Sequence, residues 1–299
     1  MPTLGDVLDV RSRLGEALFR RVAGPDGEQH RDRIHGTVGE RWFTWEDPVC
    51  QVHADASMFV GGIRALLLQA LHPVAMTAVS EHSGYRGDMW GRLARTSRFL
   101  AVTTFGTVNH AEQAIGAVRR IHEGITGTMP DGTAYCAADP HLLMWVHVAE
   151  IDSFLAAHQA YGARPLDQAG RDTYVAQTAL VAEKLGVVEA PRTEAELRQV
   201  LEDYRAELAG TRHAREAIEL LLRRPPLPLP ARAPYSVLGA AAVSLMPEWT
   251  REPLGLPHVP LAERTVVPVL GTAATRTIRW AMGTGRPVPR TDEERVAAA

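Results

Sequence analysis

Residues 89–127 read MWGRLARTSRFLAVTTFGTVNHAEQAIGAVRRIHEGITG, and this stretch predicts two helices joined by a short turn. The first helix is expected over Met89–Phe105, because the glycine that follows is a common stop at a helix C-terminus. Thr107 or Asn109 is expected to cap the second helix, which should run to about Ile125. A helical hairpin of this length must bury a face against other elements, so the stretch favours a helical fold.

Apolar residues at helical spacing continue through the rest of the chain. Hydrophobic residues make up 45% of the sequence and aromatic residues only 6%, which favours helix over strand. No alternating strand pattern of useful length occurs. The fold class is therefore predicted to be all-α, a single multi-helix domain over residues 1–299. Further helices are predicted at 4–22, 48–53, 58–71, 74–80, 140–161, 171–185, 194–208, 213–223, 236–245 and 259–282.

The remaining segments are predicted to lack regular structure. Residues 23–39 are polar and contain glycine, and residues 126–138 are rich in turn-forming residues. Residues 224–234 contain five prolines and are predicted to form an extended linker. The C-terminal helices within residues 235–299 are too apolar to stand alone, so they should dock on the main core, with a polar tail from Thr284.

Composition excludes several classes of function. The net charge of −3 argues against nucleic-acid binding. Cys50 and Cys136 do not form a CxxC motif or a disulfide framework, which favours a reducing compartment. No signal peptide and no uninterrupted apolar run of about 18 residues is present, so we expect a cytoplasmic protein without stable membrane insertion. The oligomeric state stays open.

Two histidines lie on apolar helix faces. His122 comes four residues after Val118 and three before Ile125, so it points with the apolar stripe of its helix. His147 has the same property in the helix that starts at Pro140. Each is either a buried neutral histidine with a hydrogen-bond partner, which is the commoner case, or a metal ligand whose second nitrogen is held by a partner.

The first helix of the hairpin carries a second polar group. Arg92 and Thr96 are four residues apart and share a face, and Arg95 lies between them. These side chains form either a solvated face or a guanidinium site for carboxylates such as porphyrin propionates. His72, before a proline, and the pair Glu81 and His82 lie at predicted helix ends, where side chains either cap helices or face a pocket. The candidate site residues are therefore His72, Glu81, His82, Arg92, Arg95, Thr96, His122 and His147.

Several catalytic motifs are absent from the sequence. It has no HExxH zinc pattern, no GxSxG elbow, no P-loop and no CxxCH for covalent haem attachment. The paired Glu-x-x-His motifs of di-iron bundles are missing as well. The residues alone thus indicate an all-α protein with a candidate helical haem or metal pocket.

Four motifs, in this order and spacing, resemble one known family. They are His72-Pro73 after an apolar helix, Arg92-x-x-Arg95-Thr96, His122 with a glycine five residues later, and Pro140-x-x-x-x-Trp145-Val146-His147. Together they resemble the catalytic domain of the MpaB-type and rubber-oxygenase family, which includes the latex clearing proteins. The resemblance runs from about residue 41 to 160 and more weakly to the C-terminus. It implies an all-α, globin-like core with non-covalently bound haem b.

The resemblance also implies roles for individual residues. His122 matches the proximal ligand of the haem iron, and Arg92 and Thr96 match residues near the haem. Arg95 stands where rubber oxygenases carry a lysine that can approach the distal face, and a permanently protonated arginine is a poor metal ligand. Glu81 is the candidate for the catalytic glutamate, although its offset does not match well. Polyisoprene is therefore not the expected substrate.

These observations predict a haem b-dependent oxidoreductase, an oxygenase that uses dioxygen on a small or medium apolar organic substrate. His122 would hold the iron, residues 72–85 would line the distal side, and His72 and His147 would be further cofactor-binding residues. Arg95, Glu81 and His82 are the candidate catalytic residues. One alternative is a haem-binding carrier or sensor without turnover, and another is a protein that has lost haem and binds an apolar ligand or a partner.

Overall fold

A computed structural model describes residues 4–84 and 87–283 of the chain. The all-α fold class is confirmed, since these residues form helices apart from one short β-hairpin. The globin-like arrangement stays a prediction. Their α-helices are α1 (Leu4–Ala23), α2 (Gly27–Gly36), α3 (Pro48–His53), α4 (Met58–Gln69), α5 (Pro73–His82), α6 (Met89–Phe105), α7 (Val108–Gly124), α8 (Pro140–Tyr161), α9 (Gln168–Leu185), α10 (Glu194–Asp203), α11 (Arg212–Ile218), α12 (Leu229–Ser244), α13 (Arg251–Leu254) and α14 (Pro260–Met282).

The centre of the fold is the packing of α4 along α8. Both helices are apolar on nearly all sides, so they can be covered by other helices on every face. Asp139 caps α8 by accepting a hydrogen bond from the amide of His141, and the proline at the first helical position needs no donor of its own. Trp145 of α8 and Leu67 of α4 are completely buried here. This helix pair supplies much of the apolar core.

One ion pair lies inside this packing. The side chain of Arg64 on α4 is only 4% exposed, and its Nη1 lies 2.7 Å from Oδ2 of Asp152 on α8. The same guanidinium donates to the hydroxyl of Ser153 and to the carbonyl oxygen of Leu245. These bonds satisfy a charge that burial would otherwise make very costly.

The helix boundaries follow the local signals closely. The predicted limits of α6 and α8 are confirmed, and Thr107 is the residue that caps α7. A capping box formed by Thr193 and Glu196 begins α10.

Three segments predicted to be irregular contain regular structure. The polar segment 23–39 includes α2, and the loop 126–138 includes a hairpin of β1 (Thr126–Thr128) and β2 (Ala134–Cys136). The proline-rich linker is shorter than predicted, because α12 already begins at Leu229. The first turn of α12 tolerates proline because the backbone amides there have no intrahelical acceptor. Pro234 lies farther inside the same helix.

The C-terminal helices pack on the rest of the chain. Helix α12 contacts α4 and α14, and α14 contacts α1. The predicted tail from Thr284 lies outside the described residues. Among the described helices, none alone has the length and apolar character to cross a membrane, whereas α4 and α5 meet those limits only as a pair bent by 106°.

Candidate functional site

A large cavity of about 2620 Å³ runs between the helices. Sites for small ligands usually have volumes of roughly 300–1,000 Å³, so this cavity has room for more than one small molecule. Its wall is mainly apolar. Apolar lining residues include Met58, Phe59, Leu66, Met76, Val79 and Leu100.

Five of the predicted site residues line this cavity. Arg92, Arg95 and Thr96 reach it from α6, His122 from α7, and His82 from the end of α5. Helices α6 and α7 pack against each other as the predicted hairpin, which brings their polar groups to one wall. The residue that ends the predicted distal segment, Tyr85, lies outside the described residues.

The imidazole of His122 is partly buried in the last turn of α7. Its Nδ1 is buried and forms no hydrogen bond with the described part of the chain. Burial lowers the pKa of His122, so the ring is neutral at pH 7 and keeps a lone pair for a ligand or proton. A metal-bound histidine was expected to have a hydrogen-bond partner at its other ring nitrogen, and Nδ1 of His122 has none among the described residues.

Arg92 and Arg95, on the α6 side of the cavity, contact residues close to them in the sequence. Asp88 caps α6 by accepting from the amide of Gly91 at 2.8 Å. Arg92 donates to the hydroxyl of Ser83 at 3.0 Å, and Arg95 lies 3.4 Å from Asp88 with 58% of its side chain exposed. An exposed pair of this length contributes little to stability, so the Arg95 guanidinium can turn to another anion.

Glu81, Tyr135 and His82 form a hydrogen-bonded group beside the cavity. The buried Tyr135 of β2 donates its hydroxyl proton to Glu81 at 2.6 Å. Its oxygen lies 3.2 Å from Nε2 of His82 and can accept only from a protonated nitrogen there. Burial and the neighbouring Glu81 raise the pKa of Tyr135 to about 12, so it stays protonated. Of the three, only His82 lines the cavity.

The other two predicted histidines do not line the cavity. His147 is a neutral interior histidine, since burial lowers its pKa to about 4, and its buried Nε2 has no hydrogen-bond partner among the described residues. His72 lies between α4 and α5, beside His141 and Glu207. The structure therefore divides the predicted site residues between separate places in the fold.

Among the titratable residues that line the cavity and were not candidates are His53 and Glu150. His53, at the end of α3, contacts the hydroxyls of Thr104 and Tyr174, and burial lowers its pKa to about 4. Glu150 of α8 is held within the apolar wall, where burial raises its pKa to about 7. A carboxylate in the apolar run around Glu150, two residues before Asp152, was a signal in the sequence, whereas nothing in the sequence distinguished His53.

Comparison with known families now identifies the kind of protein. A family model described as "ER-bound oxygenase mpaB/B'/Rubber oxygenase, catalytic domain" matches residues 50–280. The chain belongs to this oxygenase family. Searches of curated proteins and of solved structures found no significant match.

Membership of the oxygenase family confirms the predicted resemblance and bears on the site. An oxygenase catalytic domain acts on a small molecule and uses dioxygen, which a protein usually activates with a metal or haem cofactor. The matched range contains α5, α6 and α7, the helices that carry the five predicted site residues on the cavity wall.

Glu150 makes stability of this oxygenase domain depend on pH. Its pKa is about 7 in the folded protein and about 4.5 when exposed, so the folded state binds more protons between these values. Stability should therefore fall as the pH rises from 4.5 to 7 and stay lower above it. Glu150→Gln should remove this loss, which is worth up to roughly 3 kcal/mol at pH 8.

Urea denaturation of both proteins at pH 5 and pH 8 measures the difference. Glu123→Gln, at an exposed position of α7, is the matched control and should behave as the parent protein. Equal pH dependence of the parent and Glu150→Gln would show that the carboxyl is not desolvated as described.

Proposed function

We propose that this protein is a haem b-dependent oxygenase acting on a small or medium apolar organic substrate. The observation that carries the proposal is the neutral imidazole of His122, with an unpartnered buried nitrogen, on the wall of a large apolar cavity. Burial keeps this imidazole neutral, and neutral histidine is a common axial ligand of haem iron.

The residues present fit a haem in three respects. The cavity has the volume for a porphyrin together with a substrate. Its wall is mainly apolar, which suits a macrocycle, and Arg92 and Arg95 line it as well, two guanidinium groups that suit propionate carboxylates. His122, on the neighbouring helix, supplies the nitrogen donor.

The haem would supply the redox chemistry of dioxygen activation when bound. His122 would hold the iron from one side. Arg95 cannot act as an iron ligand because its guanidinium stays protonated, so its role would be to bind a propionate or to donate hydrogen bonds to dioxygen in the cavity. His82 would hold a proton at Nε2 beside the cavity, kept in place by Tyr135 and Glu81.

The substrate class follows from the wall of the cavity. Apolar side chains dominate it, and desolvation of an apolar molecule there is favourable in proportion to the area it buries. Glu150 and His53 are polar exceptions that a substrate hydroxyl or carbonyl could meet. An open iron position distinguishes an oxygenase from a haem carrier or sensor, which we regard as the alternative.

Titration of the purified protein with haemin tests the proposal. We expect one haem per chain, a Soret band distinct from that of free haemin, and binding of carbon monoxide after reduction. A haem iron that binds no external ligand would favour the carrier or sensor, and absence of any haem binding would refute both haem functions.

A further inference from the structure

A second group of possible metal ligands lies apart from the cavity. His72 is the residue before α5, His141 lies in the first turn of α8, and Glu207 ends the 3₁₀ helix Tyr204–Glu207. Their ligand atoms lie within 4.8 Å of one another, although they come from three distant parts of the chain. None of the three lines the cavity. The group is thus separate from the proposed haem site.

The hydrogen-bond partners of His141 indicate a proton or a metal ion between its Nε2 and Glu207. Tyr204 donates its hydroxyl proton to the carbonyl oxygen of His141, so its oxygen can accept from Nδ1–H of the same histidine at 3.2 Å. This leaves the lone pair of Nε2 facing the two carboxylate oxygens of Glu207 at 3.0 and 2.8 Å. Because both partners are then acceptors, a proton or a metal ion must lie between them.

His72 supplies the second, independent observation. Its side chain is only 4% exposed, and its Nε2 has no hydrogen-bond partner among the described residues. That nitrogen points toward the group and lies 3.8 Å from Oε2 of Glu207. Buried polar atoms are nearly always paired, so this nitrogen indicates a missing partner on the side of Glu207.

We propose that His72, His141 and Glu207 bind a divalent transition-metal ion of the zinc class. Two imidazole nitrogens and one carboxylate oxygen form a common zinc ligand set that leaves a fourth position for water. About half of His141 and 44% of Glu207 are exposed, so an ion has access from solvent. The Nδ1 hydrogen bond of His141 to Tyr204 is the outer contact that usually orients a metal-bound histidine.

Binding requires small rearrangements. Zinc–ligand distances of about 2.0–2.2 Å need the three atoms to approach one another, and the exposed side chains of His141 and Glu207 can move. Metal at Nε2 also moves the ring proton of His72 to Nδ1, which ends its contact with the amide of Ala75. At 3.4 Å this hydrogen bond is long and weak, so its loss is a small cost beside a metal bond.

The proposed ion would join three segments that already meet through the contacts of Tyr204 with His141 and His72. It would link the start of α5, the start of α8 and the 3₁₀ helix, next to the backbone hydrogen bond from Ala209 to Leu71. A ligand that binds only the folded state stabilises it by mass action. The proposal does not depend on haem, because no ligand is shared with the cavity.

The test uses the full chain, from which bound metal is first removed with a chelator. Zinc affinity is then measured by competition with a chromophoric chelator. We expect one zinc per chain, weakened by more than about 100-fold in Glu207→Gln and in His141→Gln, both at exposed positions. His213→Gln is the matched control, since His213 also lies near a glutamate, at 3.8 Å from Glu216, but outside this group. Zinc should raise Tm by about 5 °C in the parent and the control only.

Cobalt(II) gives a readout of geometry, because a four-coordinate ion shows strong visible absorption. Magnesium should neither bind nor compete, since it prefers oxygen ligands in octahedral geometry. Zinc binding that is absent in the parent, or that is unchanged in Glu207→Gln and His141→Gln, would overturn the proposal. Haem binding in the cavity is measured separately and is expected to be the same in both variants.

Discussion

His122→Ala is expected to abolish the Soret spectrum of the haem-loaded protein, or to convert it to that of weakly held haem without a protein ligand. The reason is that His122 is the cavity-lining imidazole of α7 and has an unpartnered buried nitrogen. Alanine cannot replace a nitrogen donor. Oxygenase turnover should fall to background, and the measurement is the absorption spectrum after haemin titration.

The matched control is His110→Ala, in the first turn of the same helix. His110 contacts Arg33 at 3.4 Å and does not line the cavity, so the spectrum of this variant should equal that of the parent. Since His122 is partly exposed in the last turn of α7, loss of folding is not expected, and thermal unfolding of the haem-free proteins checks this. An unchanged spectrum in His122→Ala would show that another residue holds the iron.

Asp152→Ala is expected to lower the free energy of unfolding by about 3–5 kcal/mol. Arg64 would remain between α4 and α8 with its charge 4% exposed and without its carboxylate. Its remaining bonds to Ser153 and Leu245 are to neutral groups and cannot replace the charge. Urea denaturation at pH 7 measures the loss.

Two comparisons separate the charge from the contact. Asp9→Ala removes an exposed partner of Arg13 and should cost no more than about 1 kcal/mol. The double replacement Arg64→Met with Asp152→Leu should recover much of the loss, because apolar groups of similar volume often replace a buried pair without cost. A loss below about 1 kcal/mol in Asp152→Ala would show that water reaches Arg64.

Many helix boundaries could be predicted from the sequence because residues close to each boundary determine it. The stop after Phe105, the caps at Thr107 and Asp139 and the box at Thr193 are each set within a few residues, and the structure places the helices accordingly. Residues 27–36 and the first turn of α12 are exceptions. Their weak intrinsic preference is overridden by packing against neighbouring helices, since α2 contacts α1 and α6, and α12 contacts α4.

The candidate site was only partly predictable. Periodicity showed that His122 shares a face with Val118 and Ile125, and all three line the cavity. The same reasoning did not separate His122 from His147, because both lie on apolar stripes, and only the three-dimensional packing places one on the cavity wall and the other elsewhere. Glu150 and His53 entered the site through contacts between distant parts of the chain.

By itself, the sequence determined the helical fold, the limits of its main helices and the motifs that identify the oxygenase family. Helix propensity, caps and apolar periodicity are properties of neighbouring residues, so they can be read along the chain. Only the tertiary structure decided which polar side chains share a cavity and which, like His72, His141 and Glu207, meet outside it. That outcome depends on how distant helices pack, and the burial that follows lowers the pKa of His122 and raises the pKa of Glu150.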